Sequence, residues 1–567
     1  MVIAIPLSDK FALPKLALGL VVAGLLFAVV MEGAVWRRWQ RDPWPPALAC
    51  AFLLGLACAT AAADRPLASV LGTHADYNGL LYYVPGIACF LAAAALIRTV
   101  RTLDRLVWAI SVCTVPVVGY AFVQLAGLDP IPWSLTFDGR AFSTLGQPLV
   151  LGGYLATILP CLIWLASRRT GAERAALLAE CAAVAVALIG TLTRGALLGA
   201  AAGLLVGVGL YGPRRLHGRS LVLAGIVTMI VVAAGAGAAW AAHATPSRLQ
   251  SAITIEERVD LWRAAASMFI DRPLLGVGPD QFATHYGEHR PSSARGPQTV
   301  DEPPAATPHN ELLTVLAAGG LVAGAPYIAL WLFAFFRAMR APPGAKRVAV
   351  AATAGGVAAY LVQAQFSIPD VSVNVVALTF LGTLFGLTSA PNGRRTASTM
   401  PRSRSLGGSL TAVRVLAGAA LCASAIPLVA ADAFDRIGLD RASGGSPAAV
   451  TRLQLAVRLD PLQAAYLDDL GAAQESSTRW GASPIEANRS AFGTYQRRLD
   501  RFGGTAADHL HAARAAAALA SLDAMSPDVA ESEIAQAERL DPKNPGLSSA
   551  VDGIAAGLVR RSKPSTR

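Results

Sequence analysis

The feature that most constrains this chain is a succession of apolar runs, each about twenty residues long, separated mostly by short polar joints. A helix needs about 20 apolar residues to cross the hydrocarbon of a bilayer. Inside hydrocarbon only helices and closed barrels satisfy every backbone polar group. Runs start near Leu16, Pro46, Leu80, Leu106, Gly146, Ala175, Gly195, Leu221, Leu312, Val348, Val371 and Val413, which predicts about 12 spans. Only 15% of the residues are charged, against about 25% in soluble domains. The predicted fold class is an all-α polytopic membrane protein.

The cations between the runs alternate. Arg37, Arg38 and Arg41 follow the first run; Arg98, Arg101 and Arg105 the third; Arg168, Arg169 and Arg174 the fifth. Arg214, Arg215 and Arg219 follow the seventh; Arg337, Arg340, Lys346 and Arg347 the ninth; Arg394, Arg395, Arg402 and Arg404 the eleventh. The joints between hold Arg65, Arg140 and Arg194 singly. Positive joints stay in the cytoplasm, so the spacing predicts an inner-membrane protein with the long loop at about 243–310 and the segment after 431 outside. It also puts the N-terminus outside, in conflict with Lys10 and Lys15. An uncleaved start from inside would require one miscounted span, and Arg37 and Arg38 directly after the first run disfavour a cleaved signal peptide. The net charge of +11 forms no basic stripe interleaved with aromatics, so nucleic acid is not an expected partner. The seven cysteines all lie in apolar runs, where they act as small hydrophobes; no disulfide framework or metal site is expected.

The charges outside this pattern carry the functional reading. Arg140 lies in the segment from Phe137 to Ser143, and Arg194 in the tight turn Thr193-Arg194-Gly195. Either fits an interfacial cation snorkelling to lipid phosphate or a cation facing a partner or water. The long loop opens with an amphipathic helix carrying Arg258, with Val259, Trp262 and Ala266 on one face. A Gly- and Pro-marked turn, from Arg272 to Phe282 and including Gly276 and Gly278, follows it. After a polar stretch at 291–307 come His309, Asn310 and Glu311 at the entry to the next span. His309 is the best general-base candidate by chemistry; it also reads as an ordinary helix-entry residue with Asn310 or Glu311 assisting the cap. His285 and His289 compete from a stretch that reads as looser and more solvated.

Taken in order, these pieces resemble the bacterial O-antigen ligase and O-antigen polymerase membrane superfamily. They are Arg140 with residues 143–148, the Thr193-Arg194-Gly195 turn, Arg258 with Trp262, the run from Pro273 to Pro279 with Phe282, and His309-Asn310 with Leu313 and Gly320. The resemblance covers about residues 80–390. It implies a GT-C-like, metal-independent glycosyltransferase without a cofactor. The implied donor is a glycan on a polyprenyl (undecaprenyl-type) diphosphate, and the acceptor a hydroxyl at the outer membrane face. Implied roles are Arg194 and Arg258 on the diphosphate, Arg140 in support, and His309 activating the acceptor, with Asn310, Gly276, Gly278 and Trp262 supporting. The chain departs from the family pattern at Ala318, Gln147 and Thr193.

Residues 1–431 are expected to form the membrane domain and 432–567 an external helical one. Ala456-Val457-Arg458-Leu459-Asp460-Pro461 recurs as Ala537-Glu538-Arg539-Leu540-Asp541-Pro542, an ending that resembles tetratricopeptide repeats; a plain helical bundle fits it too. Stacked helix pairs suit a protein partner or acceptor. Within one chemistry, ligase, repeat-unit polymerase and protein O-oligosaccharyltransferase remain open, with lipid, glycan or protein as acceptor. From another class, a polysaccharide transporter or flippase would show inverted repeats and charges along a path; here the informative charges lie at one face.

Overall fold

The computed structural model describes residues 4, 6–74, 76–131, 133, 137, 139–211, 255–291, 306–389, 407–541 and 545–559. Their regular structure is helical, with no strand among them. The helices are α1 (Ala12–Val30), α2 (Gly33–Trp39), α3 (Trp44–Ala62), α4 (Pro66–Leu71), α5 (Leu80–Leu96), α6 (Val100–Leu125), α7 (Pro148–Ser167), α8 (Gly171–Gly190) and α9 (Arg194–Tyr211). Then come α10 (Ile255–Asp271), α11 (Phe282–His289), α12 (Glu311–Met339), α13 (Ala345–Gln363), α14 (Val371–Thr388) and α15 (Gly407–Ser443). Six shorter helices end the chain: α16 (Ala448–Leu459), α17 (Ala465–Ser476), α18 (Pro484–Phe502), α19 (Ala506–Ala520), α20 (Pro527–Leu540) and α21 (Pro545–Val559).

Eight of these are long and apolar enough to cross a membrane: α1, α3, α6, α7, α12, α13, α14 and α15. Helices α5 and α9 are apolar but shorter, and α8 carries Glu173, Arg174 and Glu180. Eleven of the runs read from the sequence are thus helices, and the run near Leu221 lies outside the described residues. The centre of the bundle is α7, buried along nearly its whole length and packed on α13 and α9. Glycine and alanine let these backbones approach closely, as van der Waals packing between membrane helices requires.

Side-chain and backbone contacts sort the joints onto two faces. On one, the Arg38 Nη1 donates to Ala95 O (2.6 Å), Arg337 pairs with Asp42 (2.7 Å), Arg169 with Asp104 (2.7 Å), and Arg347 Nε donates to Leu210 O (2.9 Å). On the other, Arg272 pairs with Asp64 (2.8 Å), Ala141 N donates to Gly190 O (3.2 Å), and Lys15 Nζ reaches both Leu145 O and Asp370 (2.7 Å each). Among the described residues, the Arg-rich joints after the first, third, fifth and ninth runs share the first face, as the alternation predicts; the cations after the seventh and eleventh runs lie outside the described residues. The Lys15 conflict has a physical answer: its ammonium is buried and neutralised by the Asp370 carboxylate, so it is not one of the solvated cations by which joints are sorted.

Helices α16–α21 pack in succession on the second face. They meet the bundle through Arg65, which donates to Gly504 O (2.5 Å), through Arg290 with Asp541 (3.6 Å), and through Tyr466 and His74 on the buried Asp432 (3.3 and 2.6 Å).

Candidate functional site

Helix α10 forms because its apolar residues repeat at helical spacing and Glu256 and Glu257 occupy its first turn, where carboxylates favour the helix dipole. Leu261, Ala264, Ala265 and Met268 are buried, against Val277, Phe282 and Ala317. The face expected from sequence, Val259 with Trp262 and Ala266, is instead only half-buried. The reason is that the anchoring stripe lies beside it, which leaves Trp262 and Arg258 turned along the site.

The turn after α10 is spliced into α12. Helix α12 breaks at Gly320 (φ 55°, ψ −153°), and residues 273–278 fill the break. Val277 N donates to Ala317 O (2.8 Å), Gly278 N to Ala318 O (3.0 Å), Leu321 N to Pro273 O (2.8 Å) and Val322 N to Leu274 O (3.1 Å). Gly276 has φ 65°, and a Cβ there would collide with Ala317 O and with the Ala318 carbonyl carbon 2.7 Å away. Gly276→Ala is therefore expected to cost at least about 1–2 kcal/mol from the left-handed backbone alone, before the clash is counted. It should lower the thermal midpoint of the detergent-solubilised protein, and an unchanged midpoint would refute this account of the splice.

Arg140 braces the turn between α8 and α9. Its Nε donates to Thr191 O (2.9 Å) and its Nη2 to Thr193 Oγ1 (3.2 Å); Thr193 Oγ1 in turn donates to Pro148 O (3.2 Å). The Thr193 hydroxyl thereby ties the turn to the start of α7. Arg194 opens α9 immediately after this turn and is exposed.

A short 3-10 helix, Ala364–Phe366, links the pieces. A Cβ on Gly195 would stand 2.8 Å from Phe366 Cβ. On its other side the Phe366 ring lies 6.2 Å from that of Trp262, and Phe366 O accepts from Arg258 Nη1 at 3.4 Å. This strut sets Arg194 and Arg258 together: desolvation pulls the Arg258 pKa below its ordinary value, and the Arg194 charge pulls it further.

His309 completes the group. It has φ 52°, an uncommon conformation for a residue with a side chain. Asn310 caps α12, its side chain accepting from Leu313 N at 3.0 Å. Burial lowers the His309 pKa to about 4, with Arg258 contributing further. Three buried donors or acceptors here have no hydrogen-bond partner among the described residues: Arg258 Nε, Trp262 Nε1 and His309 Nδ1. Buried polar groups are nearly always satisfied, so these atoms are where a ligand or an ordered water would bind.

The competing histidines are placed otherwise than expected. His285 is buried, its ring nitrogens 3.0 Å from Gln281 O and 3.0 Å from Asp64, and His289 lies 2.8 Å from Asp271. They are committed to internal contacts because α11 packs them against α10 and the joint after α3. Two residues near the site escape a reading of function from sequence. Phe366 carries no signal, being one aromatic among many. Glu311, which reads only as a cap assistant, is a buried carboxyl whose Oε1 has no hydrogen-bond partner among the described residues; a charge at the threshold of an apolar run is its signal. The polar stretch at 292–305, and residues 212–254, lie outside the described residues.

Residues 179–328 match a family model described as O-antigen ligase. The match takes in Arg194, Arg258, Trp262, Gly276, Gly278, His309 and Asn310, and leaves out Arg140. No curated protein matches the chain.

Proposed function

We propose, from a chain whose residues 179–328 match the O-antigen ligase family model, that it transfers a glycan from a polyprenyl-diphosphate carrier to an acceptor hydroxyl. The family supports a ligase- or polymerase-type role in polysaccharide assembly at a bacterial inner membrane. The donor, the residue roles and the orientation are our reading. The Arg-rich face is cytoplasmic, and the Arg194–Arg258–His309 group and helices α16–α21 face outward. We read helices α16–α21 as an external unit suited to meeting an acceptor or a partner protein.

The observation that supports this reading is two guanidinium groups near a buried imidazole, with buried polar atoms that have no partner among the described residues. In the reaction the acceptor oxygen attacks the anomeric carbon and the bond from that carbon to the diphosphate breaks. The hydroxyl proton passes to His309. Arg194 and Arg258 stabilise the charge growing on the leaving diphosphate, with a fork of donors suited to phosphate oxygens. They supply the positive charge that a metal ion brings in other such sites. Arg140 acts through the turn it braces.

A pH prediction follows from the electrostatics. In the free protein, burial and Arg258 hold His309 at about 4, so it is neutral and able to accept a proton at pH 7. A bound diphosphate is anionic and stabilises the imidazolium, which raises this pKa. The acid limb of kcat, which reports the complex, should therefore lie at higher pH than that of kcat/KM, which reports free protein and starts near pH 4. Coincident limbs would remove His309 as the base.

The reading as a whole is tested by deleting the gene and analysing envelope glycans on a stained gel, with wild-type and His309→Ala complementation. Full-length glycan stranded on its carrier marks a ligase, and single repeat units on the carrier mark a polymerase. Unchanged glycans in both the deletion and the variant would return a transporter to first place.

A further inference from the structure

On the face opposite the arginine–histidine site, a cleft of about 750 Å³ opens between the ends of α2, α5, α12 and α14. That volume is in the range of small-ligand sites. Arg38, Arg41, Arg98, Arg337 and Arg340 line it, with Asp42 as the one carboxylate among the described residues. The arginines are held in place. Arg38 is anchored on Ala95 O at 2.6 Å and Arg337 on Asp42 at 2.7 Å. The Arg340 guanidinium lies 3.9 Å from the Phe336 ring centre, and that of Arg337 lies 5.3 Å from Phe385 and 5.6 Å from Phe333. Trp39, Phe333 and Phe385 give the cleft apolar walls.

Topology alone does not require this arrangement. Cations that merely retain a joint on one side need no cavity and are commonly balanced by carboxylates. The next basic joint shows the contrast: Arg168 and Arg169 share Asp104 at 3.1 and 2.7 Å, and Arg169 also pairs with Glu173. In the cleft, burial lowers the pKa of Arg98, and the charges of Arg38 and Arg41 lower it further against the opposing pull of Asp42. Like charges gathered around a cavity are stabilised by an anion within it. The apolar walls, at the ends of helices long and apolar enough to cross a membrane, select an anion that carries acyl chains.

We propose that this cleft binds the phosphate headgroup of an anionic membrane phospholipid, with the arginines on the phosphate and the aromatic wall along the glycerol and upper acyl chain. Basic pockets between membrane helices take such headgroups. The site is separate from the glycan-transfer site and does not depend on its chemistry.

The test is native mass spectrometry of the purified full chain, offered phosphatidylglycerol, cardiolipin and phosphatidylethanolamine in equal amounts. Wild type should retain an anionic lipid over phosphatidylethanolamine. The triple variant Arg41→Gln/Arg98→Gln/Arg340→Gln should bind it at least about tenfold more weakly, since each cation near a membrane surface contributes on the order of 1 kcal/mol. The triple variant Arg101→Gln/Arg105→Gln/Arg174→Gln removes the same charge from exposed positions outside the cleft and should bind as wild type does. If the first variant does not fold, Arg340→Gln alone, at the exposed rim, should still weaken binding several-fold. Equal loss in both triple variants, or equal retention of phosphatidylethanolamine, overturns the proposal. Displacement of the lipid by millimolar inorganic phosphate alone also overturns it, by making this a site for the free anion.

Discussion

Replacing His309 with alanine is expected to slow glycan transfer by about 10²–10⁴-fold, the range attributable to a positioned general base. The backbone complicates the simplest version of this experiment, because His309 has φ 52° and any loss from Ala could reflect strain. Asn tolerates that conformation better than most residues and offers no comparable base. His309→Asn should therefore fold as wild type does, judged by thermal midpoint and elution profile, and transfer as poorly as His309→Ala. Added imidazole should restore part of the rate in the alanine variant, since the cavity left by the side chain admits it. Transfer within about threefold of wild type in the Asn variant, below the smallest effect expected of a base, would sink the assignment.

Arg258→Lys is expected to lose about 10²–10³-fold in kcat, the scale of removing one charge-stabilising donor from a preorganised site. Lysine keeps the charge and loses the planar fork. It also forfeits the Phe366 O contact (3.4 Å) that fixes the guanidinium. Arg194→Ala should fall in the same range, and the double variant should lose less than the product of the two single losses, because in the proposed site both groups act on one diphosphate. A fully multiplicative double variant would mean that they act on separate things. Arg140→Ala provides a contrast. Its bonds go to Thr191 O and Thr193 Oγ1, so its effect should run through the position of Arg194 and largely vanish in the Arg194→Ala background.

Much of the architecture is legible in local stretches of the chain. Helices that cross hydrocarbon must be apolar along their length, and joints that stay on one side collect arginine, so composition and charge write both into the sequence. The order of the site pieces is legible too, because each is a short run in which a turn or an arginine stands out against an apolar background. What short stretches do not convey is the partnership of individual charges. Lys15 reads as a topological signal and is a buried partner of Asp370. His285 reads as solvated and is buried beside Asp64. The stripe of α10 that packs stands beside the expected one, since an amphipathic helix shows its periodicity but not which neighbour it will meet.

Sequence alone thus dictates an all-helical membrane chain, its two chemically distinct faces, and a short roster of candidate site residues, arginines suited to an anion and a histidine suited to a proton. Packing settles which of that roster meet. It places Phe366, from a joint that carries no motif, between Arg194 and Arg258; it commits Arg140 to a turn; and it leaves the Nδ1 of His309 without a partner among the described residues, where His285 and His289 find theirs. The physical reason is range. Hydrophobic length and charge bias act on the segment that carries them. A charge's partner, and hence its chemistry, depends on which distant backbone packs close enough to reach it.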